Sequence, residues 1–147
     1  AGFLPAKEKA RREALDEFAD LDATARYPRD KVLLRIRTAE SHRREGNHAA
    51  AADILDELIK ERGQPDSELE AKLIYLRSRV DLDWGKDKLG EERLGRLMVR
   101  FPHSTFGLRA FQILRSRYRA RDKDKFVDWC RNQHAQLKDT PLADNLL

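Results

Sequence analysis

Arg100-Phe101-Pro102-His103-Ser104 repeats the pattern of Arg26-Tyr27-Pro28-Arg29-Asp30: an aromatic residue, then proline, then a capping residue two positions on. Pro65 stands midway, so the three prolines are 37 residues apart (65 − 28 and 102 − 65), and Pro141 follows two residues late. A fixed period of roughly 20–50 residues is the signature of stacked supersecondary units. The chain therefore reads as an array.

Cutting after each proline and aligning the segments gives apolar columns. Val32, Leu69 and Phe106 share one, Ile36, Leu73 and Ala110 the next, and Ala39, Leu76 and Ile113 a third. Steps of four and three residues describe one face of a helix. Leu34, Ala71 and Leu108 widen that stripe. Asp30, Ser67 and Ser104 are placed to cap these first helices, just after a proline that disfavours helix before it. Second helices follow, striped by Ala51, Ile54, Leu55, Leu58 and Ile59, by Leu94, Leu97 and Met98, and by Phe126, Val127, Cys130 and Leu137. Gly90 and Gly95 in the second of these lower its propensity or allow close packing. Two of the intervening turns carry glycine, Gly46 and Gly85, as a helix C-terminus prefers. The third, Ala120-Arg121-Asp122-Lys123, does not.

The spacing predicts hairpins over 29–64, 66–101 and 103–138. A helix over 5–26 precedes them, opened by Pro5 in a position suited to a first turn. Thr140-Pro141-Leu142 starts a further helix over 141–147. The 5–26 helix reads as a second helix lacking its first, so the array starts and stops mid-unit. That fits a portion of a longer array, or a natural protein with atypical ends. Expected core residues are Val32, Ile36, Leu55, Leu58, Leu73, Leu76, Leu97, Phe106, Ile113 and Phe126.

The run Ala39-Glu40-Ser41-His42-Arg43-Arg44-Glu45-Gly46-Asn47-His48-Ala49-Ala50-Ala51 resembles the tetratricopeptide repeat family. Gly46 and Asn47 match its turn and Ala51 its small packing position, while His48 replaces an aromatic. The family's period is shorter, and its Trp-Leu-Gly…Tyr pattern is absent from the first helices. The aromatic-Pro-x-Ser/Asp links are similar to those of tetratricopeptide-like proteins of the bacterial envelope, such as the outer-membrane assembly lipoprotein and the Tol-Pal coordinator. The resemblance implies an all-α, right-handed α-solenoid with first helices on its concave side. It implies a non-catalytic protein–protein scaffold or adaptor, at the bacterial periplasm or outer membrane.

Composition agrees with a thin helical array. With 38% charged and 40% hydrophobic residues, the chain is too polar for a membrane protein and too apolar for disorder. No run of about 18 apolar residues occurs. The net charge is +4, from 30 basic and 26 acidic residues. The excess is local, concentrated between Arg109 and Lys125, and attracts anions.

Three columns of charge mark candidate partner-binding residues. Arg35, Lys72 and Arg109 form a basic ladder for an acidic peptide or a carboxylate, or a merely solvated face. Arg43 and Arg117 share a second column, interrupted by Val80, and Arg77 shares a third with Glu40 and Leu114. Nucleic acid is the alternative partner, held by the basic 109–125 helix with Phe111 and Tyr118 as stacking surfaces. Truncated half-units would expose apolar ends, so self-association through them is also expected.

No enzyme, cofactor or metal site is expected. Cys130 and His134 share a helix face but lack a third orienting group, and Cys130 sits in an apolar stripe. His42 and His48 flank Glu45 on different faces, with Gly46-Asn47 between them, and a metal needs three or four convergent ligands.

Overall fold

The computed structural model describes residues 6–24, 28–61 and 67–137. These form α1 (Ala6–Thr24), α2 (Pro28–Glu45), α3 (His48–Glu61), α4 (Ser67–Asp83), α5 (Asp87–Arg100), α6 (Thr105–Arg121) and α7 (Lys123–Leu137). Among the described residues there is no strand. Pro5, Pro65, Pro141 and the helix expected at 141–147 lie outside them.

Each helix packs on the next in chain order, and contacts also join α2 to α4, α4 to α6 and α5 to α7. Among the described residues, helices further apart in the chain do not touch, so the elements form a row rather than a closed bundle. α1 packs on α2, as α3 packs on α4.

The first two hairpins turn in the same way. Asn47 N–H donates to the His42 carbonyl at 2.8 Å and Gly46 N–H to that of Arg43 at 3.1 Å; Lys86 to Asp81 and Gly85 to Leu82 repeat the pair at 2.8 and 3.2 Å. This 6→1, 5→2 arrangement is a Schellman motif, whose C′ residue must be left-handed. Gly46 and Gly85 supply it, at φ 84° and 79°. The third junction needs no glycine. Asp122 alone separates α6 from α7, in extended backbone, and its carboxylate accepts from the Lys125 N–H at 3.1 Å as an N-cap.

The turns are not spaced like the prolines. Gly46 and Gly85 are 39 apart (85 − 46), and the second helices begin at 48, 87 and 123, steps of 39 and 36 (87 − 48 and 123 − 87). Leu108, aligned with buried Ala71 at 37, is 40% exposed. Phe111 and Leu114 face the core instead.

Capping differs between hairpins. Ser104 caps α6 as expected, accepting from the Phe106 N–H at 3.1 Å while its hydroxyl donates to Glu68 of α4 at 3.0 Å. Asp30 does not cap, because α2 already begins at Pro28 and Asp30 falls within its first turn. Proline at a helix start loses no bond, since its missing N–H would be unpaired there anyway. Ser67 opens α4, but its side chain lies outside the described residues.

Two apolar clusters form the core. Ile36, Ala39, Ala51, Leu55, Leu58, Leu73, Leu76 and Val80 lie in one; Ala71, Leu94, Leu97, Met98, Phe111, Leu114, Phe126 and Cys130 lie in the other. Val32, Phe106 and Ile113, also expected inside, are half-buried and pack against these clusters. Burying one Leu contributes about 2 kcal/mol, so the clusters supply most of the gain. α4 feeds both.

Between α3, α4 and α5 the seam is ionic. Arg77, 8% exposed, donates from Nε to Asp56 at 2.9 Å and from Nη1 to Asp81 at 2.5 Å. Asp81 is fully buried, and Arg93 of α5 places Nε 2.9 Å from its other oxygen. That last N–H is not aimed at the oxygen, so the contact acts through charge rather than as a hydrogen bond.

α6 enters its row tightly against the Pro102 link. A Cβ on Gly107 would strike the Phe101 carbonyl oxygen, which is backbone and cannot swing aside. Gly107→Ala should therefore lower stability by about 2 kcal/mol through overpacking, read as a lower urea midpoint. Leu108→Ala, one residue along, should stay within about 0.5 kcal/mol. Equal midpoints for the two variants would contradict this packing.

Candidate functional site

Because α2, α4 and α6 lie side by side, their polar faces line one continuous groove. Its main part is a cavity of about 820 Å³ flanked by Phe18, Arg37, Glu40, Arg43, Arg44, Lys72, Tyr75, Arg79, Phe106 and Arg109. A second part of about 430 Å³ runs on between α4 and α6, sharing Tyr75, Arg79 and Arg109 and adding Asp83, Gln112 and Ser116. Steps of three and four residues along each helix, as in Arg37, Glu40, Arg44 and Lys72, Tyr75, Arg79, put these side chains on a common face.

The groove is strongly cationic once internal pairs are removed. Arg43 consumes both nearby acids, Glu40 at 3.1 Å and Asp83 at 2.7 Å. The Glu40 hydrogen bond, opposed by burial and helped by Asp83, raises the Arg43 pKa and keeps it charged. Arg79 donates weakly to the Tyr75 hydroxyl at 3.4 Å, and Arg109 sits 5.3 Å over the Phe106 ring. Among the described residues no carboxylate pairs with Arg37, Arg44, Lys72, Arg79 or Arg109. Five positive charges thus face solvent above a floor of Ile36, Tyr75, Leu76 and Phe106.

The six residues singled out from sequence separate into different places. Lys72, Arg109 and Arg43 meet in the main part of the groove, and Arg117 lines its second part. Arg35 reaches α3 instead, pairing with Glu57 at 2.6 Å and Glu61 at 3.1 Å, so the ladder loses its first rung and Arg37 takes that place. Two residues along a helix are about 200° around it. Arg77 is internal: burial opposes its charge, and Asp56 and Asp81 more than restore it, raising its pKa. Arg117 bridges to α5 through Glu91 at 2.8 Å and Asp87 at 3.1 Å; the Glu91 hydrogen bond, opposed by burial, raises its pKa. Arg37, Arg44, Arg79 and Tyr75 were not among the expected residues.

The basic charge of α6 is likewise dispersed. Arg109 faces the groove, Arg117 and Arg121 both engage Glu91, and Arg115 and Arg119 are exposed beside Gln112 and Ser116, at the edge of the groove's second part. Phe111 is buried and Tyr118 stacks on Phe126, with ring centroids 5.3 Å apart.

Nucleophile chemistry at Cys130 is disfavoured by its surroundings. Burial pushes the thiol up to about 11, which leaves it protonated at neutral pH. The His134 side chain lies outside the described residues. His48 stacks on Trp84 with centroids 5.9 Å apart. Among the described residues no group of three His, Cys, Asp or Glu side chains is arranged to hold a metal, and no helix is long and apolar enough to cross a membrane.

No family model matches the chain, and neither a curated protein nor a solved structure matches it significantly.

Two outcomes test these placements. Arg77→Ala should cost about 3 kcal/mol or more, because Asp81 stays buried beside a lost partner, whereas Arg37→Ala and Lys72→Ala should stay within about 0.5 kcal/mol. Chemical denaturation of the three variants reads the difference. For Cys130, the folded thiol titrates above its ordinary 9.0, so its stabilisation is complete below about pH 9. It is lost as pH rises towards about 11. Thermal unfolding of wild type should fall more steeply over that window than that of Cys130→Ala.

Proposed function

We propose that this chain is a non-catalytic adaptor: a right-handed solenoid of tetratricopeptide-like hairpins that holds an acidic segment of a partner protein in the α2–α4–α6 groove. The observation that carries the reading is a surplus of five cations with no carboxylate partner among the described residues, over an apolar, aromatic floor. Unpaired charge on a folded surface contributes little to stability. Gathered on one concave face, it raises the local concentration of anions and speeds their encounter. The floor then accepts apolar side chains, which are the usual anchors of binding energy.

Recognition proceeds in two parts on this reading. Arg37, Lys72 and Arg109, one from each helix, steer and orient the acidic residues of the segment. Ile36, Leu76, Tyr75 and Phe106 take its apolar residues. Arg43, already paired with Glu40 and Asp83, holds α2 and α4 in register and does not compete for the ligand. The aromatic-Pro-x-Ser/Asp links resemble those of tetratricopeptide-like arrays of the bacterial envelope, and the proposed setting is an assembly role there.

The test is a direct titration of a labelled amphipathic peptide alternating Glu with Leu and Phe, beside a single-stranded 20-mer oligonucleotide. The peptide should bind wild type, and R37E/K72E/R109E should weaken it about tenfold or more. Binding should persist at moderate salt through the apolar anchors. Tighter binding of the oligonucleotide would identify a nucleic-acid protein instead. Its affinity should fall roughly 100-fold between about 50 and 200 mM salt, as about five phosphate contacts require.

A further inference from the structure

The two seams between successive hairpins are built from the same helix positions with opposite chemistry. Counted from the start of each second helix, Asp56 is the ninth residue of α3 and Gly95 the ninth of α5. Arg93 is the seventh of α5 and Trp129 the seventh of α7. At the first seam Asp56 and Arg93 help to seal the space between helices with the buried Arg77–Asp81 charges. At the second, Gly95 and Trp129 leave it open.

What remains is a cavity of about 660 Å³ between α5, α6 and α7, within the range that holds small organic ligands. Its walls are Leu114, Tyr118, Trp129 and Val99. Gly95 forms a bare stretch of helix backbone against the edge of the Trp129 indole, where an added Cβ would lie 3.4 Å from the ring. Leu114 and Tyr118 face away from the groove. At 100° per residue they lie about 140° and 180° around α6 from Arg109.

The rim is charged. Arg100 is paired with Glu70, and Glu91 with Arg117 and Arg121. That leaves Lys88 and Arg96 against Glu92, one net positive charge, with no ion-pair partner for either cation among the described residues. We infer that this cavity is a second binding site, independent of the groove, for a small aromatic carboxylate. The flat body lies on Trp129 and Gly95, and the anion meets Arg96.

Indole-3-acetate is the probe, followed by two-dimensional amide NMR on the full chain. Saturable shifts of the Gly95 and Val99 amides and of the Trp129 indole N–H are expected; Trp84→Phe assigns the two indole signals. A ligand of this size should have a Kd of about 1 mM. Gly95→Leu should abolish the shifts while leaving those of Lys72 and Arg109 as in wild type. R96E, at an exposed position that the fold does not use, should weaken binding about fivefold or more, and neutral indole-3-acetamide should bind wild type less well by a similar factor. Shifts confined to the groove would overturn the proposal, as would no saturation by about 10 mM or undiminished binding in Gly95→Leu. Equal affinity for acid and amide would remove the carboxylate from it.

Discussion

Everything in this row of helices is referred to the buried carboxylate of Asp81. An ion with no access to water is tolerated only when counter-charges surround it. Here they come from two directions: Arg77 on its own helix and Arg93 across on α5. Arg77 then carries the linkage on to Asp56 of α3. Three helices from two hairpins are thus held at one relative setting, since a slip at any of them would strand a charge. Apolar packing supplies the free energy of the fold, but it is non-directional. The ionic seam supplies the register.

The same accounting decides which cations are available to a partner. Arg35, Arg43, Arg77 and Arg117 all reach carboxylates on neighbouring helices. They act as struts. Arg37, Lys72 and Arg109 lie close to these in sequence and are chemically alike, yet turn to the open face, where among the described residues no carboxylate pairs with them. A basic sequence becomes a basic surface only through this sorting, and α6 illustrates the opposite outcome, with its charges shared among three directions.

Helices, their order and most of the interior could be read from periodicity, because burial repeats every three to four residues whatever the turns do. Ile36, Leu55, Leu73, Leu76, Leu97 and Phe126 are inside for that reason. Surface columns were harder. A column says which residues share a face but not what a neighbouring helix brings to it. Arg35 meets Glu57 and Glu61 of α3, while Arg37, about 200° around α2, lines the groove. Nor does an isolated residue announce its partner: Arg77 shares its column with Glu40 and Leu114, and only the arrival of Asp56 from another hairpin makes it internal. The missed face of α2, Arg37 to Arg44, was nonetheless visible as a polar stripe at helical spacing.

α4 is shared property: Leu73, Leu76 and Val80 belong to one apolar cluster and Ala71 to the other, with Tyr75 touching both. Linear arrays are ordinarily sums of nearest-neighbour terms, free to melt from an end. A helix common to two interiors couples them, so loss of α4 dissolves both at once, while among the described residues α1 enters neither cluster and α7 enters only the second, through Phe126 and Cys130. Denaturation of the centre is consequently a single cooperative event, and fraying belongs to the ends.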